Sequence, residues 1–276
     1  FALAFRANLK GEFLTHQFIP LFSFANIAAS PFAMTLNSNP QARISHLPRA
    51  DGSATFSRGG YCVVAAVNGP IEVQRRDENP FESVVDVIVR PAAGVGGTGE
   101  RQLENILRSA LRQLIPVKNF PRCLIQVTLQ VTETPQNDYA NSKVVQAQSS
   151  LPLLPALFHS AILALLSAAV PLKAIATCAT LAVVRKGDKI IADPSPLEID
   201  QSKSLHVVIF TSQNDLLLLE SEGTFSMAEW DEVINKGQSV CSQHRQAELG
   251  VAMDDDSQDA TDMQQFIRTV MESKAA

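Results

Sequence analysis

The sequence predicts an α+β fold of two similar β/α halves, in which mixed sheets pack around central helices. Three observations lead to this prediction. Short β-branched runs bounded by Gly and Pro lie in the first half, a nearly all-apolar stretch spans residues 151–170, and further strand-like runs precede a helix in the second half. With 276 residues, 46% of them apolar, the chain can bury one large core or two modest ones.

The first half alternates strands and a helix. Residues 61–67 and 84–89 are predicted as buried strands, with a Gly-Ser turn at Gly52 before them and a turn at Asn68-Gly69-Pro70 between them. From Glu100 onward apolar residues recur at helical spacing, and Pro116 ends that helix. Residues 125–132 alternate between apolar and polar side chains, which predicts a strand with one covered face.

The second half starts with a helix buried on most sides. It is predicted over the apolar stretch at residues 151–170 and follows a polar surface loop at residues 134–150. Strands are then expected at residues 174–184, 189–192, 205–211 and 216–220. The last core helix is expected to begin near Ser226, where Glu229 completes a capping box, and to run to about Leu249.

Three segments of different composition suggest the domain organisation. We expect residues 1–33 to be an N-terminal extension outside the fold, with Met34 as a natural start; a targeting segment is the alternative. Residues 34–250 form the predicted domain, and residues 251–276 an acidic tail with a short C-terminal helix. That helix carries Phe266, Val270 and Met271 on one face, either as a docking stripe for a neighbour or as a frayed terminus.

Composition restricts the classes of function. A net charge of −5 and a pI near 5.6 argue against a protein that coats nucleic acid by itself, so any RNA contact should be local or shared with partners. The four cysteines are far apart, and no Cys or His pair has zinc-ligand spacing, so we expect buried thiols in a reducing compartment and no metal site. The apolar run at residues 18–29 is too short to span a membrane.

A glycine cluster precedes the first predicted helix. Gly94, Gly96 and Gly99 have the spacing of the dinucleotide fingerprint, but four residues separate them from the strand and no acidic residue follows at ribose-binding distance. We therefore expect no nucleotide cofactor. Two interpretations stay open: a flexible linker, or an anion or RNA-backbone contact at the helix start.

Five short segments carry a resemblance to a known family. They read LPRADGSA at residues 47–54, GPIEV at 69–73, VIVRP at 87–91, AVPL at 169–172 and Asp-Pro at 193–194. Together they resemble the RNase PH family, and most closely its non-catalytic ring subunits in the eukaryotic RNA exosome. The resemblance covers roughly residues 42–249.

The resemblance also implies where a site would lie. In active members the loop before the helix binds inorganic phosphate, and Thr98, Gly99 and Arg101 occupy this region here. Arg101 is either a phosphate or RNA ligand or a solvated side chain.

Active members also carry two aspartates six residues apart. Asp193 matches the first aspartate, but Ile199 occupies the second position and can neither bind a metal nor transfer a proton. Glu198 and Asp200 flank Ile199, so a shift of one residue would restore a carboxylate. Asp193 and Asp200 are thus degenerate catalytic candidates, and we interpret Asp193 as a turn-capping residue.

The function implied by the resemblance is architectural. Such a chain is expected to be a non-catalytic subunit of the exosome core ring, in the nucleus, nucleolus and cytoplasm, without a cofactor or a membrane. Its expected partners are other RNase PH-like ring subunits, cap subunits with RNA-binding folds, and RNA passing through the channel. The alternatives are an active phosphate-dependent 3′–5′ exoribonuclease and a single-strand RNA binder that acts outside a ring.

Overall fold

The computed structural model describes residues 39–73, 75–76, 78–135, 151–185, 189–241 and 262–275. The predicted extension at residues 1–33 and most of the polar loop at residues 134–150 lie outside these residues. So does the expected end of the last core helix near Leu249.

A five-stranded mixed sheet forms the first half. Its strands are β1 Gln41–Ile44, β2 Gly52–Arg58, β3 Tyr61–Glu72, β4 Val84–Arg90 and β5 Cys123–Glu133. They lie in the order β1-β2-β3-β5-β4, and only the β4–β5 pair is parallel. As a result β2, β4 and β5 all end at the same end of this sheet.

A four-stranded antiparallel sheet forms the second half. Its strands are β6 Ala176–Val184, β7 Ile190–Ala192, β8 Ser202–Thr211 and β9 Leu216–Gly223, in the order β7-β6-β8-β9. The two central strands, β6 and β8, are buried along most of their length, whereas no residue of the edge strand β9 is fully buried. The core of this half therefore lies over the middle of the sheet.

Five α-helices complete the described fold. They are α1 Thr98–Leu114, α2 Leu154–Ser167, α3 Pro196–Gln201, α4 Met227–Cys241 and α5 Met263–Ala275. Twelve of the 14 residues of α2 are buried, and the helix packs against β2 and β3 of the first sheet and β6 of the second. The predicted fold class and the predicted buried central helix are confirmed.

Two local predictions for the first half differ from the structure. Gly52 does not sit in a turn: it opens β2 and pairs with Val67 of β3. Asn68, Gly69 and Pro70 lie within β3, at a register irregularity against β5, rather than in a turn between two strands. Both misreadings arose because glycine and proline mark strand irregularities as well as turns.

A close approach explains why glycine begins β2. A Cβ atom at Gly52 would lie 2.3 Å from the Ala164 carbonyl oxygen and 2.4 Å from the Ala168 nitrogen, both at the C-terminal end of α2. No larger residue fits there unless the backbone moves. Next to it, the Asp51 carboxylate accepts a 2.8 Å hydrogen bond from the Gly69 N–H, which ties the start of β2 to β3.

The C-terminal helix packs on its own chain. Met263 and Ile267 of α5 are buried in the core, and the Phe266 ring lies 6.2 Å from the Phe56 ring. Lys274 Nζ donates a 2.6 Å hydrogen bond to the Ser167 carbonyl oxygen. Neither expectation for this helix, a stripe free to dock on a neighbour or a frayed terminus, is correct, because burying its apolar face on α2 and β1 removes that face from water.

The first prediction concerns the contact between β2 and α2. Replacing Gly52 by Ala should lower the free energy of unfolding by about 3 kcal/mol, because the added methyl group meets backbone atoms that cannot rotate away. Urea titration followed by circular dichroism measures this change. Gly96→Ala is the control: the nearest atoms are 3.8 Å away, and a change within about 0.5 kcal/mol is expected. Equal effects of the two substitutions would contradict the packing argument.

The second prediction concerns His159 in α2. The residue is fully buried, and its Nε2 accepts a 3.1 Å hydrogen bond from the Cys178 N–H. Burial, with a smaller contribution from the Arg58 charge, lowers the pKa of His159 from 6.5 to about 3. Because the unfolded chain binds this proton first as pH falls, stability is complete above pH 6.5 and is lost as pH falls from there toward 3.

The expected loss from His159 alone is about 2 kcal/mol between pH 6.5 and pH 5, since each pH unit contributes about 1.4 kcal/mol. His159→Gln keeps an acceptor for the Cys178 N–H without a titrating ring, so its unfolding free energy should fall less steeply over this interval. The measurement is urea denaturation at a series of pH values. Parallel pH profiles for the two proteins would show that His159 is not the titrating group.

Candidate active site

Asp193 lies at the turn that follows β7. Its backbone adopts a left-handed conformation, with φ of 51°, which aspartate tolerates better than most residues. Its N–H donates a 2.9 Å hydrogen bond to the Thr180 carbonyl oxygen of β6. These two constraints fix the position of the Asp193 Cα atom at the edge of the second sheet, and thereby the starting point of its side chain.

An ion pair joins Asp193 to the first half of the chain. Arg58 is the last residue of β2, and its Nη2 lies 2.8 Å from Asp193 Oδ2. The two side chains are 17% and 37% exposed, respectively. Burial raises the pKa of the Asp193 carboxyl group above its usual value, and the positive charge of Arg58 opposes that rise. The carboxylate therefore has a cation as its partner, while its charged form is disfavoured by burial.

The ion pair borders a cleft between β6, α4 and α5. The cleft is small, with a cavity volume of about 10 Å³, which is room for about one water molecule. Its lining residues are Arg58, Thr177, Cys178, Ala179, Asp193, Val240, Cys241 and Met263. Burial raises the pKa of both thiols, that of Cys241 to about 12, so neither is a thiolate at neutral pH. Nucleophilic or metal-binding chemistry of these thiols is thereby disfavoured.

The position of the second carboxylate lies in the short helix α3. Ile199 packs against the hydrophobic core, and Asp200 is exposed. Glu198 is already engaged: its Oε2 accepts hydrogen bonds of 2.7 and 2.8 Å from the N–H and Oγ of Ser195, the N-cap residue of the helix. These bonds lower the pKa of Glu198. Glu198 is therefore engaged at the helix start, whereas Asp200, the other flanking acid, is exposed.

The interpretation of Asp193 as a turn cap does not match this geometry. Ser195 and Glu198 cap α3, and the Asp193 carboxylate is directed to Arg58 instead. The pattern Ser-x-x-Glu at residues 195–198 is a capping box that the sequence already shows. Arg58 was missed, and no local motif marks it, since 135 residues separate it from Asp193.

The loop before α1 ends in a cap that uses a carboxylate. Gly97 is the N-cap residue, and its N–H donates a 2.6 Å hydrogen bond to Glu100 Oε2. Thr98 and Arg101 are exposed in the first turn, and Gly99 between them is half-buried. The negative charge of Glu100 occupies the electropositive start of the helix, where an anion would otherwise bind.

The sheet brings this loop and Asp193 to the same end of the first half. β4 leads into the loop and β2 ends at Arg58, with β5 and β3 between them. Three strand spacings, about 14 Å in all, separate the end of β2 from the end of β4. Thr98, Gly99 and Arg101 thus lie together, but within the described part of the chain no hydrogen bond or ion pair connects them to Asp193.

Three further arginines that could contact phosphate or RNA lie away from Asp193. Arg90 is exposed at the end of β4, whereas Arg75 and Arg76 are exposed beyond the far end of β3. Over the residues with described positions, no group of three or more His, Cys, Asp or Glu side chains could hold a metal ion. In the same residues, no helix has the length and apolar character needed to cross a bilayer.

Comparison with family models matches both halves. The model for domain 1 of the 3′ exoribonuclease family (RNase PH) matches residues 39–171, and the model for its domain 2 matches residues 174–240. The boundary between them falls between α2 and β6, where the first sheet gives way to the second.

Relatives with curated names support the same assignment. The chain is 32% identical over 209 residues to the exosome complex component RRP46 of Saccharomyces cerevisiae, which covers 74% of this chain and 90% of that protein. It is 31% identical over 180 residues to the exosome complex exonuclease RRP46 homolog of Oryza sativa, a match that covers 65% of this chain and 66% of that protein. The resemblance seen in the motifs is confirmed.

Solved structures agree in fold. The crystal structure of rice Rrp46 superposes with a TM-score of 0.64 at 27% identity, covering 75% of this chain and 91% of the other. The Archaeoglobus fulgidus exosome with RNA bound to its active site gives a TM-score of 0.58 at 16% identity, covering 76% and 88%. The two sheets that share α2, together with the matches to both family domains, establish that the chain belongs to the 3′ exoribonuclease (RNase PH) family.

Proposed function

We propose that this chain is a non-catalytic subunit of the RNase PH-like ring of an RNA exosome. The observation that carries the proposal is the incomplete acid pair. Asp193 is paired with Arg58, the second acid position holds Ile199, and Glu198 caps α3. Without two adjacent carboxylates the site lacks the groups that would hold a metal or move a proton to the leaving ribose oxygen.

The architectural role is supported by what the chain retains. Both family domains are present, and the relative in Saccharomyces cerevisiae that is 32% identical is named as a component of an exosome complex. The chain thus keeps the scaffold that an architectural role requires. In such a ring the chain supports 3′–5′ RNA processing and degradation, including rRNA maturation, by forming part of the channel wall.

The proposed partners follow from the same role. They are other RNase PH-like subunits in the ring, cap subunits with RNA-binding folds, and RNA within the assembled channel. Because the chain carries a net charge of −5, other subunits would supply most of the positive charge that RNA requires. We place the assembly in the nucleus, nucleolus and cytoplasm.

One observation favours a second candidate function, a phosphate-dependent 3′–5′ exoribonuclease. Asp193 lines a cleft, occupies the family's first acid position and has a raised pKa, which is typical of functional carboxylates. The start of α1, next to the glycine loop, argues against this function, because the Glu100 carboxylate occupies the position where phosphate would bind. The two functions predict different results with RNA and phosphate.

The third prediction tests catalysis. The purified chain, incubated with single-stranded RNA and inorganic phosphate, should release no nucleoside diphosphate above the level of a protein-free control. The reason is the missing second carboxylate at Ile199. Chromatography of the nucleotide products provides the measurement. Diphosphate release that Asp193→Asn abolishes and Glu272→Gln, at an exposed acid on α5, leaves intact would establish the exoribonuclease instead.

The fourth prediction tests the ring. The chain recovered from native extract should elute in a complex several times its own mass of 29.9 kDa, and mass spectrometry should find other RNase PH-like chains in it. Light scattering coupled to size exclusion measures the mass. Asp193→Asn should leave recovery of the complex unchanged, since the role is architectural. A monomeric mass in extract would contradict the proposal.

A further inference from the structure

The outer edge of β9 is open. β9 is the edge strand of the second sheet and pairs only with β8. Among the residues with described positions, none forms a backbone hydrogen bond with its other side. An edge strand of eight residues presents alternating N–H and C=O groups to solvent, and these groups can pair with a further strand.

The other edge strands are short or covered. β7 has three residues and β1 has four. β4 is guarded by side chains from α1: Glu104 Oε1 accepts a 2.9 Å hydrogen bond from the Val89 N–H, and Arg108 lies 3.1 Å from Asp86. Within the described residues no side chain hydrogen-bonds to the backbone of β9. The strand contains no lysine or proline, and its charged side chains are two glutamates.

Apolar side chains remain accessible along this edge. Leu216 is 46% exposed, whereas the leucines at residues 217–219 are partly exposed and pack their remaining surface against the cores. Beyond the strand end, Phe225 is 39% exposed and Met227 is 76% exposed. Leucine, phenylalanine and methionine gathered at one edge are typical of a protein-binding surface.

The aromatic part of this surface is rigid. The Phe225 ring stacks on Trp230, with centroids 5.4 Å apart and planes 14° apart, and meets the edge of His206 at 4.9 Å. Ser204 and Ser221 share hydrogen bonds of 2.9 and 2.7 Å with the two ring nitrogens of His206. Because little side-chain entropy is left to lose, a partner can dock here at lower cost.

The surrounding charge is negative. Glu220 and Glu222 alternate along β9 and so lie on one face of the strand, and Asp231 and Glu232 are exposed in the first turns of α4. The nearby cation Lys203 lies 2.6 Å from Glu229. RNA is disfavoured at such a surface, and so is a second copy of this chain, since pairing β9 with itself would bring like charges together.

From these observations we propose that β9 and the start of α4 dock a basic, extended segment of a different protein chain. That segment adds as a fifth strand to the second sheet and places apolar side chains against Phe225 and Met227. Backbone hydrogen bonds supply affinity, and the acidic residues select a partner rich in lysine or arginine. The inference rests on the proposed function to the extent that the partner belongs to the same assembly.

The experiment compares hydrogen exchange in the isolated chain and in the complex from native extract. Amides of residues 216–223 should exchange at least tenfold more slowly in the complex. Photo-methionine at position 227 should crosslink to a segment rich in lysine or arginine from another chain. The double variant Glu220→Lys/Glu222→Lys should reduce recovery of the complex at least tenfold. The control Glu272→Lys, exposed on α5, should not.

Several outcomes would overturn the inference. If the complex forms but the exchange rates of residues 216–223 stay unchanged, β9 is not the docking site. The ring proposal is unaffected by that result. Crosslinks to RNA, to an acidic segment or to a second copy of the chain reject the proposed partner. If the unaltered chain forms no complex, the ring proposal fails. The inference about β9 is then decided by titrating the isolated chain with a peptide of alternating valine and lysine, and absence of protection at residues 216–223 rejects it.

Discussion

The close approach of β2 to α2 at Gly52 is the contact on which the described fold depends. The strand backbone lies so near the end of the helix that no side chain fits between them, and α2 is thereby held against the first sheet. The same helix packs against β6, so one buried element serves both halves. Six residues along β2 from this contact stands Arg58, whose position is therefore set by the packing of the strand. In this way a steric constraint at one end of a strand places a charge at the other.

The Arg58–Asp193 ion pair joins a partly buried acid of the second half of the chain to the end of β2 in the first half. The carboxylate is partly removed from water, which disfavours its charged form, and the guanidinium compensates for part of that cost. Two other acids of the candidate site serve structure: Glu198 and Glu100 both cap helices, and each accepts a hydrogen bond from a backbone N–H at its own helix start. A carboxylate used in this way is unavailable for proton transfer. These hydrogen bonds favour the proposed architectural role, on a scaffold that the chain shares with the 3′ exoribonuclease (RNase PH) family.

Sheet edges distinguish surfaces that are closed from those that are open. At β4 the helix α1 supplies a carboxylate to the free N–H of Val89, so the helix protects the strand next to it. At β9 the described residues supply no such hydrogen bond, and leucines, stacked aromatic rings and acidic side chains lie at one edge. Apolar area provides the driving force for association there, and charge provides the selectivity. For a protein whose proposed role is to hold an assembly together, an open edge of this kind is a functional feature rather than a defect.

The sequence by itself determined the periodic elements and the family. Alternation of apolar and polar residues predicted β5, and helical spacing predicted α1, because an element that buries one face repeats apolar residues at its own period. The capping box at Ser226 marked the start of α4. The family resemblance implied that Ile199 stands where active members carry an acid, and the Ser195–Glu198 cap could have been recognised from its local spacing. Only the tertiary structure decided that Gly52 begins a strand, that Asp193 pairs with Arg58 and that α5 packs on its own core. These outcomes depend on contacts between residues far apart in the chain, and no local pattern encodes which distant surface a side chain will meet.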